Sequence, residues 1–284
     1  MMKIRTAGAL RTLGVLTGLV FIALSAAAEA ASTDYAGRSA CAECHETQTL
    51  QWAGSQHDLA MQPATAETVL GDFSDTSLTH FGVTSTFFRK DGAFMVRTEG
   101  PDGKLHDYEI RYTFGAEPLQ QYLIGFPGGR LQALSLAWDS RPADQGGQRW
   151  FHLYPGERIT HDDELHWTQP AQNWNSMCAD CHSTGYRKNY DPGTDRFASA
   201  WSDIDVACEA CHGPGSRHVA WAEIPPMARP DVDDFGLVVP TGNIASERQV
   251  ELCAPCHARR SELGDYDHSG AALLDQMRPA VLSE

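Results

Sequence analysis

Three observations predict one fold class: short helices and loops gathered around covalently held prosthetic groups, with a β-rich module inserted among them. The pentapeptide C-x-x-C-H occurs four times, at Cys41–His45, Cys178–His182, Cys208–His212 and Cys253–His257. The segments around the copies are short and rich in turn residues, so they cannot bury much apolar area by themselves. Between the first and second copies lies a long cysteine-free stretch with the texture of strands and turns.

The chain has 284 residues and eight cysteines, and the four motifs use all eight. In C-x-x-C-H the thiols of Cys41 and Cys44, of Cys178 and Cys181, of Cys208 and Cys211, and of Cys253 and Cys256 can add to the two vinyl groups of a haem. The histidine that follows, His45, His182, His212 or His257, then lies against the porphyrin face as the proximal iron ligand. Two Cys₄ zinc sites would need only the cysteine pairs, as would thiol–disulfide exchange. Neither explains a histidine after every pair, so the pattern predicts four covalent haem c groups.

Taken in order, residues 1–30 read as a signal peptide. Lys3, Arg5 and Arg11 make a positive start, Leu13 to Leu24 a short apolar run, and Ala28-Glu-Ala30 a small-residue cleavage site. The apolar run is short for a bilayer span. The expectation is an exported, periplasmic protein with no stable membrane insertion after cleavage. The net charge of −15 argues against nucleic acid as a partner, because phosphate binding needs a basic face.

Residues 31–82 form the first haem-binding segment. Glu46 to Met61 reads as a helix, with Gly54-Ser55 as a break point. His57 lies twelve residues beyond His45. On a continuous helix that is about 18 Å, so His57 would reach a haem other than the one its own segment carries. Residues 83–155 are the β-rich insertion. Lys90-Asp91-Gly92 is a hairpin signal between Val83–Arg89 and Ala93–Thr98, and Gly100–Gly103 is a second turn before a strand over Lys104–Thr113. Pro118–Gly125 reads as a short helix, and Arg130–Trp138 and Arg149–Tyr154 as further strands.

Residues 156–284 carry three motifs. Thr160–Trp167 is an acidic run containing His161 and His166, best read as a solvated face. Gly213-Pro214-Gly215 breaks any helix after His212, and a histidine just past such a turn, His218, can be directed toward a neighbouring haem. Ser246–Cys253 reads as a helix leading into the last motif.

Of twelve histidines, eight lie outside the motifs, and four are needed if every iron has two imidazoles. His57 and His218 are the strongest distal candidates; His161, His166 and His268 are weaker ones. Met61 or Met177 could replace a histidine and raise that haem's potential.

The stretches CAECHETQTLQWAGSQHDLAM (41–61), NSMCADCHSTG (175–185) and VACEACHGPGSRHV (206–219) resemble multihaem c-type cytochromes of the cytochrome c-552/4 family, related to the tetrahaem electron acceptor of hydroxylamine oxidoreductase. The resemblance implies a multihaem cytochrome c fold, closely packed haems with mostly two axial histidines, and electron transfer. The β-rich stretch is outside the minimal tetrahaem pattern. It is similar to longer bacterial multihaem proteins, which leaves Glu284 open between a natural C-terminus and a truncation. An electron carrier serving redox partner proteins is the favoured function. A multihaem oxidoreductase acting on a small nitrogen or sulfur compound at one open haem is the alternative. A haem-containing sensory or interaction module of a longer protein is the third. The lysine that marks the active haem of pentahaem nitrite reductases is absent from all four motifs.

Overall fold

In the cysteine-free stretch, apolar and polar residues alternate between tight-turn dipeptides, and the structure, a computed structural model, makes a strongly curled antiparallel sheet of it. Residues 34–239, 244–263 and 272–281 are described. The signal peptide read over residues 1–30 and His268 lie outside the described residues.

The sheet runs through β1 (Gln62–Pro63), β2 (Thr76–His80), β3 (Val83–Lys90), β4 (Ala93–Glu99), β5 (Leu105–Phe114), β6 (Leu119–Phe126), β7 (Arg130–Ala133), β8 (Leu136–Asp139) and β9 (Arg149–His152). Its order is β2-β3-β4-β5-β6-β8-β9, with β1 added on β5 and β7 on β6. Asp91 and Gly92 both have positive φ, 51° and 87°, as a two-residue type I′ turn demands. Phe81 and Gly82 do the same between β2 and β3. The sheet therefore starts at Gln62 and Thr76, ahead of the expected residue 83.

The predicted helix at Pro118–Gly125 is strand β6. Its polar side chains are satisfied largely by the segment over residues 64–75. Gln120 accepts from the Leu70 N–H at 2.8 Å and from the Tyr122 hydroxyl at 2.9 Å. Its amide donates to the Thr68 carbonyl at 2.9 Å. Pairing with β5, β7 and β8 overrides a local pattern that is too short to decide.

Inside the curl, Phe87 and Trp150 stack with ring centroids 3.5 Å apart, amid Phe73, Phe94, Val96, Ile110, Tyr122, Ile124 and Trp138. Residues 64–75 plug one end: Phe73 enters the core, and the Trp150 indole N–H donates to the Asp72 carbonyl at 2.9 Å. Gly71 must be glycine, because a Cβ there would stand 2.6 Å from the Tyr122 hydroxyl. At the seam, β2 meets β9 through His80 and His152, whose rings stack at 3.9 Å and 4°.

A second apolar cluster lies outside the curl: Met61, Phe114, Leu123, Leu131 and Ala133 against Trp174 and Ala179. It docks α3 (Trp174–Met177) and α4 (Ala179–His182), and so the second motif, on the sheet. The other motifs sit on α1 (Arg38–Ala42) with α2 (Glu46–Trp52), on α5 (Cys208–His212) followed by α6 (Ser216–Glu223), and on α7 (Ser246–His257). A strand pair, β10 (Tyr190–Asp191) and β11 (Arg196–Phe197), bridges the middle. Another, β12 (Arg260–Glu262) and β13 (Met277–Pro279), follows the last motif, with α8 (Leu273–Gln276) before β13. No helix among the described residues is long and apolar enough to cross a membrane.

His152 is held neutral, its pKa lowered to about 4 by burial first and by the adjacent His80 second. Neutral histidine in the folded state against an ordinary value of about 6.5 in the unfolded chain gives stability that is fully present above that value. It is lost as pH falls through the window down to about 4. Urea midpoints of the haem-loaded chain should fall between pH 7 and 4, and His152→Phe, which keeps the stack, should flatten that slope. An unchanged slope would remove the seam from the account.

Candidate functional site

The third and fourth C-x-x-C-H copies lie within helices α5 and α7 and the second starts α4 at Ala179, while the first spans the turn from α1 to α2. Two intervening residues place both cysteines of a helical copy on one turn, with the histidine beside them. The predicted helix over 46–61 ends at Trp52, and Gly54 takes φ 76°. The chain then turns through a 3₁₀ segment at Asp58–Ala60. The straight 18 Å reach is therefore not used, and His57 stands against His257 after a turn in the chain.

Four distant stretches meet here. His57 faces His257, ring centroids 6.1 Å apart, and His218 faces His45 at the same 6.1 Å. A metal–imidazole bond of about 2 Å on each side, plus the distance from nitrogen to ring centre, gives about 6 Å for two imidazoles sharing one iron. The His218 Nδ1–H donates to the Phe235 carbonyl at 3.0 Å, and the His182 Nδ1–H to the Ala60 carbonyl at 2.9 Å. A carbonyl only accepts, so each bond fixes the tautomer and leaves Nε2 as the metal-binding nitrogen. Burial lowers the pKa of His182, with the Ala60 carbonyl opposing it. Burial and then His45 and His218 lower that of His212.

The thiols also meet across motifs. Cys41 and Cys208 are hydrogen-bond neighbours, which lowers Cys208 to about 7 and raises Cys41. Cys181 and Cys256 repeat the arrangement, with Cys181 lowered to about 7. Cys211 is raised by burial and then by nearby Cys253. In space the motifs therefore run first, third, fourth, second.

The frame holding them is polar. Glu209, the first variable residue of the third motif, is 2% exposed. It accepts from the N–H groups of Ala36 and Gly37 at 2.8 Å each and of Gly215 at 2.7 Å. Arg38 ion-pairs with buried Asp205 at 2.8 Å, and its backbone N–H donates to Asp203 at 3.2 Å. Burial still raises Asp205 to about 6, Arg38 opposing it. The Trp52 indole donates to the Val206 carbonyl at 3.0 Å, and Val206 N–H donates to the His57 carbonyl at 3.2 Å. Sequence reading missed Glu209, Arg38, Asp203 and Asp205. The only local signal was the glycines at 37 and 215, whose N–H groups converge on the Glu209 carboxylate.

His161 and His166 sit elsewhere. The His161 ring lies against Gly103 in the β4–β5 turn, and His166, 5% exposed, contacts Thr168 at 2.8 Å and Glu99 at 3.8 Å. The structure thus removes both from the motif cluster, because neighbouring Trp167 anchors that run in the sheet core. Met61 is a core residue, and Met177 is exposed.

The donor set fits haem c. All eight cysteines are free thiols, and two motif histidines each face a second imidazole at the spacing of a shared metal. Beyond residue 200 the buried apolar side chains among the described residues are Ala207, Pro255 and Met277. Leu50 on α2 and Val250 on α7, close in sequence to the first and fourth motifs, stand exposed, apolar surface for a macrocycle to cover. Haem, when bound, supplies one-electron iron chemistry.

The family described as cytochrome c554 and c-prime matches residues 40–96 and 152–213. Those blocks hold the first three motifs and skip most of the sheet. No curated protein matches the sequence. The crystal structure of outer cell wall cytochrome OcwA is similar with a TM-score of 0.53 and 19% identity, over 88% of this chain and 45% of that one. An undecahaem cytochrome from the S-layer of Carboxydothermus ferrireducens is similar with a TM-score of 0.43 and 18% identity, over 82% of this chain and 28% of that one. The chain thus spans less than half the length of either. The matched family and the cysteine–histidine constellation point the same way: the chain is a multihaem c-type cytochrome.

Proposed function

We propose that the protein is an exported tetrahaem cytochrome that passes electrons between redox partner proteins without transforming a bound substrate. Two imidazole pairs at 6.1 Å, each joining different motif segments, are the observation that carries this reading. His45 with His218, and His257 with His57, would each hold a haem iron with two imidazoles, which would leave it suited to one-electron transfer and closed to a substrate. His218 is read as the distal ligand of the first-motif haem and His57 as that of the fourth. The second and third motifs then supply two further haems. Export rests on the pattern of residues 1–30, and the similar OcwA is by name an outer cell wall protein.

Haem stoichiometry by the pyridine haemochrome method should give four per chain. Reduced protein should show low-spin signatures for the first- and fourth-motif haems. His218→Ala or His57→Ala should each convert about one haem in four to a high-spin form that binds CO, because each removes one axial ligand. CO binding unchanged in both variants would overturn the pairing.

Glu209→Ala should destabilise the chain by about 2–4 kcal/mol, since three backbone donors lose their buried acceptor. It should also expose the Ala36–Gly37 bonds to proteolysis before the sheet is cut. A denaturation midpoint equal to wild type would show that the carboxylate does not hold the frame.

A further inference from the structure

A cavity of about 550 Å³ lies between β5, β6 and β7 and the segment around β11. That volume is in the usual range for a small-molecule site. Two aromatic pairs contribute to its lining. Tyr108 and Phe126 stack at 5.8 Å and 16°, while Tyr112 meets the edge of Trp201 at 6.2 Å and 87°.

Its cation is placed by an irregularity in the sheet. The β5–β6 register steps from Ile110↔Ile124 to Tyr112↔Leu123, leaving Arg111 as the extra residue of a β-bulge. A bulge re-aims the side chain it carries. The Arg111 carbonyl is used by the Ala64 N–H at 3.0 Å, which holds the bulge through the backbone. The side chain lies flat over Gly125, where a Cβ would come within 2.9 Å of Arg111 Cδ. Among the described residues the Arg111 guanidinium has no hydrogen bond or ion pair. The other arginine of the cavity, Arg130, is committed to Asp195.

We infer that this cavity binds a planar aromatic molecule carrying a single negative charge. The aromatic faces take a flat ring system, and the planar guanidinium takes a carboxylate or sulfonate. Glu109 also lines the cavity and likewise has no partner among the described residues. It works against multiply charged anions and sets the preference for one charge. Trp201 meets Trp174 at 5.8 Å, and Cys178 packs against the cluster that holds Trp174, so an occupant lies close to the second motif. The binding itself does not depend on the electron-transfer reading.

The test is calorimetric titration of the oxidised, haem-loaded full chain with anthraquinone-2-sulfonate, beside its neutral 2-hydroxymethyl analogue. The expected result is one saturable site per chain, with the sulfonate binding more tightly than the neutral compound. Arg111→Gln should weaken the sulfonate at least about tenfold, the worth of one charge-assisted contact. Gly125→Ala should weaken it by displacing the arginine, and Glu109→Gln should tighten it. Arg111 is exposed, so its variant should fold, as circular dichroism will check. No saturable binding, equal affinity for the neutral analogue, or an Arg111→Gln protein that binds like wild type would each overturn the assignment.

Discussion

Burying a carboxylate is costly unless donors surround it, and Glu209 is surrounded by backbone. Its three N–H partners come from two different loops. Through Gly37 it sets the start of α1, and therefore Cys41 and His45. Through Gly215 it sets the start of α6, whose third residue is His218. The facing of His45 and His218 thus follows from where one side chain inside the third motif finds its hydrogen bonds. Arg38, one residue past the first anchor, is carried to Asp203 and Asp205 by the same contact.

The chain divides its sources of stability. The curled sheet and the segments packed on it hold most of the large buried apolar side chains, and stacking of Phe87 on Trp150 is typical of its filling. The motif helices are four to twelve residues long, too short to be stable alone, and are joined by polar bonds. Trp174 and Asn175 link the two regimes. Trp174 fills the outer apolar cluster, and Asn175, 1% exposed, accepts from the Leu131 N–H at 2.7 Å. The second motif is thereby fixed on the sheet.

Much of this was legible from sequence, and the rest has identifiable causes. The Asp91-Gly92 turn was readable because its chemistry is local. The four motifs stood out because the same spacing, with a histidine after each cysteine pair, repeats. His57 and His218 were reached by counting ligands, and both rings stand against motif histidines, although the helix argument for His57 used the wrong geometry. Strand β6 was missed because Gln120 and Tyr122 are satisfied by partners about fifty residues away. Glu209 was missed because, in one sequence, a buried anchor and a variable motif position look alike. His161 and His166 were kept as candidates because nothing local revealed that Trp167 would pin them to the sheet.

Sequence order and spatial order differ in a way that bears on conduction. Cys41 adjoins Cys208, Cys211 lies near Cys253, and Cys181 adjoins Cys256, so the second motif is an end of the row although it is second in the chain. The two imidazole pairs cross this row: His57 leaves the first segment for the fourth, and His218 leaves the third for the first. A metal held between two segments contributes its binding energy to their assembly, so each such iron would stabilise a contact that the polypeptide makes only with polar bonds. The segment from residue 34 to 61 touches every other motif, through Glu209, His218, His257 and the Ala60 carbonyl on His182. On the proposed reading, the row is therefore assembled around its first member and opens toward partners at its two ends, one of them fixed to the sheet.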